Sequence, residues 1–261
     1  MENTEVIRKD IHLPVYLPEP LYRLLRLIKH FGAEPAAVPQ AEPPAWPKNL
    51  LGDRDVENSF VAANLPNGPG QALDFGNGGS PLSLFAVERG FSVVAIDLGP
   101  ITWHYVHPSL RFVQGDILKL DLPGNFFDLV INCSTVEHVG ISGRYNVTDN
   151  QADGDLEAMA RLRFFMKPGA VMVMTVPVGS DAVFPPLSRI YGPARLPRLL
   201  KGFLIDKQEY WIKDELNRWQ QCEREEALQA EAASGSASPL QNIYGLGCFV
   251  LRRPVEEPVR Q

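Results

Sequence analysis

Cysteine is scarce in this 261-residue chain: there are three, Cys133, Cys222 and Cys248. Their odd number and lack of any metal-ligand spacing exclude a disulfide framework and a zinc ribbon, and fit a reducing cytoplasm. No apolar run approaches the ~18 residues that a membrane span needs, and Met1-Glu2-Asn3-Thr4 does not begin a signal peptide. Positive charge is also short, with 25 Lys+Arg against 31 Asp+Glu and a net charge of −6. That balance argues against a nucleic-acid backbone as the main partner. His104 and His107 flank Trp103 and Tyr105 without a third ligand nearby, so no metal is expected. What remains is an ordinary soluble composition, 45% hydrophobic and 21% charged, long enough for one large domain or two small ones.

Proline is the one residue in excess, with 23 in all. Eight lie in the first 50 residues and four between Pro185 and Pro197, whereas Gln71 to Ser180 holds six. Proline breaks helices and removes ladder donors, so the regular scaffold is expected in that middle stretch. Residues 1–52 read as an N-terminal extension and 53–256 as the main domain. Within the extension, Leu21 to Phe31 reads as a short amphipathic helix with Leu21, Leu24, Leu25 and Ile28 on one face and Arg23, Arg26 and Lys29 on the other. The plainer reading is a helix packed on its own domain, although residues 20–31 would also suit peripheral docking on a membrane surface or a partner. Glu34 to Pro47 reads as an extended linker.

Arg54 to Leu65 reads as a helix, and apolar runs of strand character follow at Ala72–Phe75, Ser92–Ile96, Phe112–Val113, Phe127–Asn132 and Ala170–Val176. Helical stretches separate most of them, at Leu82–Arg89, around Ile101–His107 and from Leu156. Alternation of strands and helices implies a mostly parallel sheet covered on both faces. Phe203–Ile212 and Ile243–Arg252 read as two further strands, with a polar, partly helical insertion at about 213–240. The expected fold is therefore α/β and doubly wound, with seven strands, the last antiparallel.

The first strand runs into Asp74-Phe75-Gly76-Asn77-Gly78-Gly79-Ser80. Glycines there let the backbone turn tightly against a ligand at the carboxyl edge of a parallel sheet. A dinucleotide fingerprint needs a third glycine where Pro81 stands, and Asp74 would repel a pyrophosphate while suiting a cationic amino group. The second strand ends in Asp97, placed to grip both ribose hydroxyls, and the third is followed by Gly115-Asp116-Ile117, an acid where an adenine amino group would need an acceptor. The fourth leads into Cys133-Ser134-Thr135-Val136-Glu137-His138, and Lys167-Pro168-Gly169 turns ahead of the fifth.

From about Glu57 to Arg253, the order and spacing of these motifs resemble the S-adenosylmethionine-dependent methyltransferases with the seven-stranded Rossmann-like fold. The stretches Glu137–Tyr145, Asp153–Leu156, Val176–Gly179 and Arg189–Gly192 look like a bacterial branch associated with glycan or secondary-metabolite biosynthesis. The resemblance implies S-adenosylmethionine as cofactor. It puts Asp74, Gly76, Asn77 and Gly78 at the methionine end, Asp97 on the ribose, Asp116 with Ile117 around the adenine, and Leu98 and Cys133 among the remaining cofactor contacts. It implies methyl transfer to an oxygen or nitrogen of a small-molecule or glycan-like acceptor. Asn77 departs from the small residue or Cys common at its position.

His138, just beyond the fourth strand, is the candidate general base, because imidazole can titrate near neutral pH. It could equally brace the turn it sits in. The long polar stretch from Gly140 to Asp155 reads as a binding loop that offers Arg144, Tyr145 and Asp155 to substrate. Arg189 and Tyr191, after the fifth strand, would close the other side, with Arg189 able to fork onto a carboxylate, phosphate or diol, or else to pair with a nearby Asp. Three other readings stay open. They are a non-catalytic cofactor-binding or interaction protein, an NAD-binding oxidoreductase, and a methyltransferase acting on protein or nucleic acid.

Overall fold

The structure is a computed structural model that describes residues 52–103, 105–143, 145, 147–214, 218–230 and 245–255. The chain divides into two units, Met1–Pro47 and Lys48–Gln261, and every described residue belongs to the second. The expected helix at Leu21–Phe31, the linker, His104 and Arg144 lie outside the described residues.

The unit opens with α1 (Asp53–Asn64), β1 (Gly70–Phe75), α2 (Leu82–Glu88), β2 (Phe91–Asp97), β3 (Leu110–Gln114) and β4 (Phe127–Cys133). After a 3₁₀ turn at Val136–His138 come α3 (Gly154–Phe165), β5 (Met166–Val178) and the small hairpin β6 (Ala182–Phe184) and β7 (Ser188–Ile190). The chain ends in α4 (Arg195–Leu199), β8 (Leu204–Lys213), β9 (Trp219–Cys222), α5 (Arg224–Leu228) and β10 (Gly245–Arg252). The main sheet has the order β3-β2-β1-β4-β5-β10-β8-β9. Strands β1 to β5 pair in parallel, and β10 runs antiparallel between β5 and β8.

Two clusters bury the faces of this sheet. On one, α1 and α2 lay Val56, Phe60, Val61, Leu82 and Ala86 against Ala72, Val93 and Leu129. On the other, α3 lays Ala158, Met159, Leu162 and Phe165 against Leu73, Val130 and Met172. Strands buried on both sides explain the near-continuous apolar runs of β1, β2 and β4.

Three expectations need correction. The sheet has eight strands, because Trp219–Cys222 pairs antiparallel with the end of β8 where a polar insertion was expected. Trp219, fully buried over α1, anchors that strand with its indole N–H on Asp53 Oδ1 at 3.2 Å. The described residues of 101–107 form no helix. Between Pro100 and Pro108, the rings of Trp103 and Tyr105, two residues apart, stack with centroids 5.7 Å apart. Lys167-Pro168-Gly169 lies inside β5, with Gly169 at φ +81°. No helix among the described residues is long and apolar enough to cross a membrane.

Candidate functional site

A cleft of about 1010 Å³ opens over the carboxyl ends of β1, β2 and β4. At its first end, the chain leaves β1 by crossing the end of β2, with Gly76 N–H donating to Ile96 O at 2.8 Å. Gly76 has φ +72°, and a Cβ there would fall 2.0 Å from Thr135 Cγ2, so only glycine fits. Asn77 holds the turn from inside. Its Nδ2 donates to Asp74 Oδ2 at 2.7 Å and Ser83 Oγ at 3.0 Å, while its Oδ1 accepts Gly79 N–H at 2.9 Å and Trp103 Nε1–H at 2.8 Å. Buried and fully engaged, Asn77 braces the turn with its side chain instead of offering it to a ligand. Tyr105 adds a second clamp through its hydroxyl on Ser80 O at 2.7 Å.

Asp74 is itself buried, and Ser83 donates to the same Oδ2 at 2.6 Å. Burial pushes its carboxyl up to about 6, against the opposing pull of the Ser83 and Asn77 hydrogen bonds. Asp97 closes the arrangement from β2. Its Oδ2 accepts Gly78 N–H at 2.9 Å and its Oδ1 accepts Gly99 N–H at 3.0 Å, which locks turn and strand end together. Leu98, Asp116 and Ile117 continue this wall, and Asp116 Oδ1 accepts Leu118 N–H at 2.9 Å.

The structure provides a simple test of whether this wall can receive a ligand. A Cβ placed on Gly78 would approach nothing closer than Gly76 O at 4.0 Å, so the outer face of the glycine turn is open. An open backbone turn flanked by Asp74, Asp97 and Asp116 fits a ligand with an amino group, a ribose and an adenine.

The opposite end is built from α1, the 134–138 turn and β7. Glu57 is almost fully buried, and Arg54 donates to its Oε2 at 2.8 Å. Thr175 Oγ1 donates to Glu57 Oε1 at 3.2 Å, and Ser134 Oγ bonds the same oxygen. Ser134 takes a left-handed backbone, φ +45°, with its N–H on Thr175 O at 3.0 Å. Glu137 follows, buried, with its carboxyl pushed up to about 8 by burial and by the charge of Glu57 beside it. Cys133 lines the cleft as well, but burial pushes its thiol up to about 12, which makes it an inert wall.

His138 lies on this wall with its Nδ1 2.6 Å from Leu187 O. A carbonyl only accepts, so Nδ1 carries the proton of the neutral ring and Nε2 is the basic nitrogen. Nε2 lies 3.7 Å from Glu137 Oε1, and the ring packs edge-on to Tyr145, which also lines the cleft.

Of the expected substrate residues, Tyr145 reaches the cleft, whereas Asp155, Arg189 and Tyr191 are buried away from it. Arg189 spends its donors on main-chain carbonyls: NH1 bonds Glu137 O and Val139 O, and NH2 bonds Gln151 O at 3.0 Å. Asp155 is held by Arg195 through Nε at 2.9 Å, with Arg189 Nε 3.7 Å away. Arg189 and Asp155 thus pin the loops that shape the cleft.

Arg54, Glu57, Ser134 and Thr175 were not among the sequence-derived candidates. The available signal was that Glu57 shares the buried stripe Val56, Phe60, Val61 of an amphipathic helix, where a carboxylate is out of place unless partnered.

Comparison with known proteins follows the same lines. A family described as "Caenorhabditis protein of unknown function, DUF268" matches residues 119–223, less than half of the chain. No curated protein matches. Among solved structures, the [4+2]-cyclase SpnF superposes with a TM-score of 0.52 at 14% identity, covering 77% of this chain and 81% of its own. A methyltransferase candidate solved in complex with the Haloferax volcanii Trm112 methyltransferase activator gives 0.51 at 13%, covering 77% and 92%. A methyltransferase candidate from Bacillus halodurans C-125 gives 0.50 at 14%, covering 77% and 100%. This chain carries the Rossmann-like fold of the class I S-adenosylmethionine-dependent methyltransferases, extended by an eighth strand at the sheet edge.

Proposed function

We propose that the protein transfers the methyl group of S-adenosylmethionine to an oxygen or nitrogen of a small-molecule or glycan-like acceptor. The observation that carries this reading is the lock between the glycine turn and Asp97, the Gly78 N–H on Asp97 Oδ2 at 2.9 Å, with Asp74 and Asp116 on the same wall. When bound, the cofactor supplies a sulfonium methyl and a neutral thioether leaving group for in-line displacement.

The chain's own residues do the rest. Asp74 and the open turn at Gly78 hold the amino-acid end, Asp97 takes the ribose, and Asp116 with Ile117 frames the adenine. The 136–138 turn sets His138 on the opposite wall, where Nε2 takes the proton of the acceptor's O–H or N–H. Main-chain capture by Arg189 keeps that turn in place, and alignment of the two reactants within the cleft lowers the barrier.

Calorimetric titration with S-adenosylmethionine, S-adenosylhomocysteine and NAD tests this reading. Both sulfur compounds should bind wild-type protein, and Asp97→Ala should weaken both by about 100-fold, from the loss of charge-assisted hydrogen bonds and the release of the turn. Binding of NAD in their place, or an Asp97→Ala variant that binds as tightly as wild type, refutes it.

A further inference from the structure

Buried polar side chains are almost always hydrogen-bonded, and exceptions on the wall of a cleft point to a ligand. Three buried side-chain atoms with no partner among the described residues lie on this wall: Asn58 Oδ1, Glu137 Oε2 and Ser188 Oγ. Glu137 and Ser188 are each 2% exposed. The three come from α1, the 3₁₀ turn and β7. The turn is tied to the start of β7 by His138 Nδ1 on Leu187 O at 2.6 Å and by Arg189 NH1 on Glu137 O at 3.3 Å, so Glu137 and Ser188 stand next in the chain to the two partners of the His138 bond, on the cleft that His138 also lines.

Their chemistry limits what can satisfy them. Asn58 Oδ1 only accepts, Ser188 Oγ both donates and accepts, and a protonated Glu137 donates through Oε2. A carboxylate accepts but cannot donate to Asn58 Oδ1. An ammonium donates but cannot accept from Ser188 or Glu137. Hydroxyl groups do both. We propose that Asn58, Glu137 and Ser188 hold the acceptor through two neighbouring hydroxyl groups, as on a sugar or other polyol, and that the hydroxyl next to His138 Nε2 is the one methylated. In that step the hydroxyl proton passes to Nε2 and an oxygen lone pair forms the new C–O bond. The C–S bond breaks with its electrons going to sulfur, which yields S-adenosylhomocysteine.

The inference rests on the cofactor reading for its chemistry, but its binding test does not. Saturation-transfer NMR on the full chain, with and without S-adenosylhomocysteine, would compare methyl glucoside, methyl mannoside and methyl rhamnoside with butylamine and butyrate. The glycosides should give signal and the amine and carboxylate should not. Ser188→Ala and Glu137→Leu should each weaken glycoside binding about three- to tenfold, the loss of one hydrogen bond, with S-adenosylhomocysteine affinity unchanged. Ser188→Ala removes one oxygen and keeps the test open if Glu137→Leu does not fold. Signal from butylamine alone, no signal from any glycoside, or glycoside signal undiminished in the folded variants overturns the proposal. Glycoside binding without S-adenosylhomocysteine binding overturns the cofactor reading, and the methyl-transfer step with it, and leaves the hydroxyl-binding site standing.

Discussion

Glu137 is the residue whose replacement tests the electrostatics of the cleft most directly. Its carboxyl is buried beside Glu57, and its pKa is raised from 4.5 to about 8. The native state therefore holds the Glu137 proton more tightly than the unfolded chain does. Stability from this group is full below pH 4.5, and it is lost as pH rises through about 8. Each pH unit inside that window removes up to about 1.4 kcal/mol, so the whole span amounts to about 5 kcal/mol at most. Glu137→Gln keeps the shape and cannot ionise. Urea denaturation of both proteins at pH 5, 6, 7 and 8 isolates the effect, because Asp74, raised from 3.8 to about 6, titrates in both and cancels in the difference. The variant should gain on wild type steadily across the series, by about 3 kcal/mol or more in total. A difference that stays flat with pH would refute the assignment of a neutral buried acid at this position.

His138→Gln should lower kcat by about 100- to 10,000-fold while leaving S-adenosylhomocysteine affinity unchanged, as expected for a proton acceptor that does not hold the cofactor. Retained turnover would return His138 to a bracing role. Gly76→Ala places a Cβ 2.0 Å from Thr135 Cγ2 on a backbone at φ +72° and should cost about 3 kcal/mol, whereas Gly78→Ala, with nothing nearer than 4.0 Å, should cost about 1 kcal/mol. Melting temperatures that rank the two alike would contradict the packing argument. Arg195→Met leaves the buried Asp155 carboxylate with Arg189 at 3.7 Å as its remaining cation and should destabilise by about 3 kcal/mol in urea. Binding of S-adenosylhomocysteine by the folded variant should be unaltered, since the pair shapes the scaffold away from the cofactor wall.

The five parallel strands and the glycine turn were legible because each is written in a short stretch of chain. Val93-Val94-Ala95-Ile96 is apolar on both faces, and Gly76 and Gly78 stand where the backbone reaches positive φ. The segment 101–107 misled because a Trp, a Tyr and two His three residues apart mimic a helical stripe. The period of two in Trp103 and Tyr105, between Pro100 and Pro108, was the better signal. Strand β9 was hidden because four residues, Trp219 to Cys222, sit in a polar, charged stretch and gain their strand geometry from β8 alone.

The two ends of the cleft differ in how far apart their partners lie in the chain, and that difference decides what a sequence can disclose. On the cofactor wall, Asn77 meets Asp74 three residues away, Ser83 meets Asp74 nine away, and Gly78 meets Asp97 nineteen away. A motif of that span is preserved whole in the linear order, and its residue types announce its geometry. At and behind the proposed acceptor wall, Arg189 reaches Glu137 across 52 residues, His138 reaches Leu187 across 49, and Thr175 reaches Glu57 across 118. No local pattern encodes those meetings. Arg189 in Ser188-Arg189-Ile190 reads like a cation that forks onto substrate or pairs with an Asp, because the carbonyls that consume it belong to loops closed around it only by the fold. On the proposed function, acceptor choice would be changed from the long-range side of the cleft. Substitutions on β7 or in the 134–138 turn would reshape the acceptor wall and leave the short-range lock of Asp97 and the glycine turn intact.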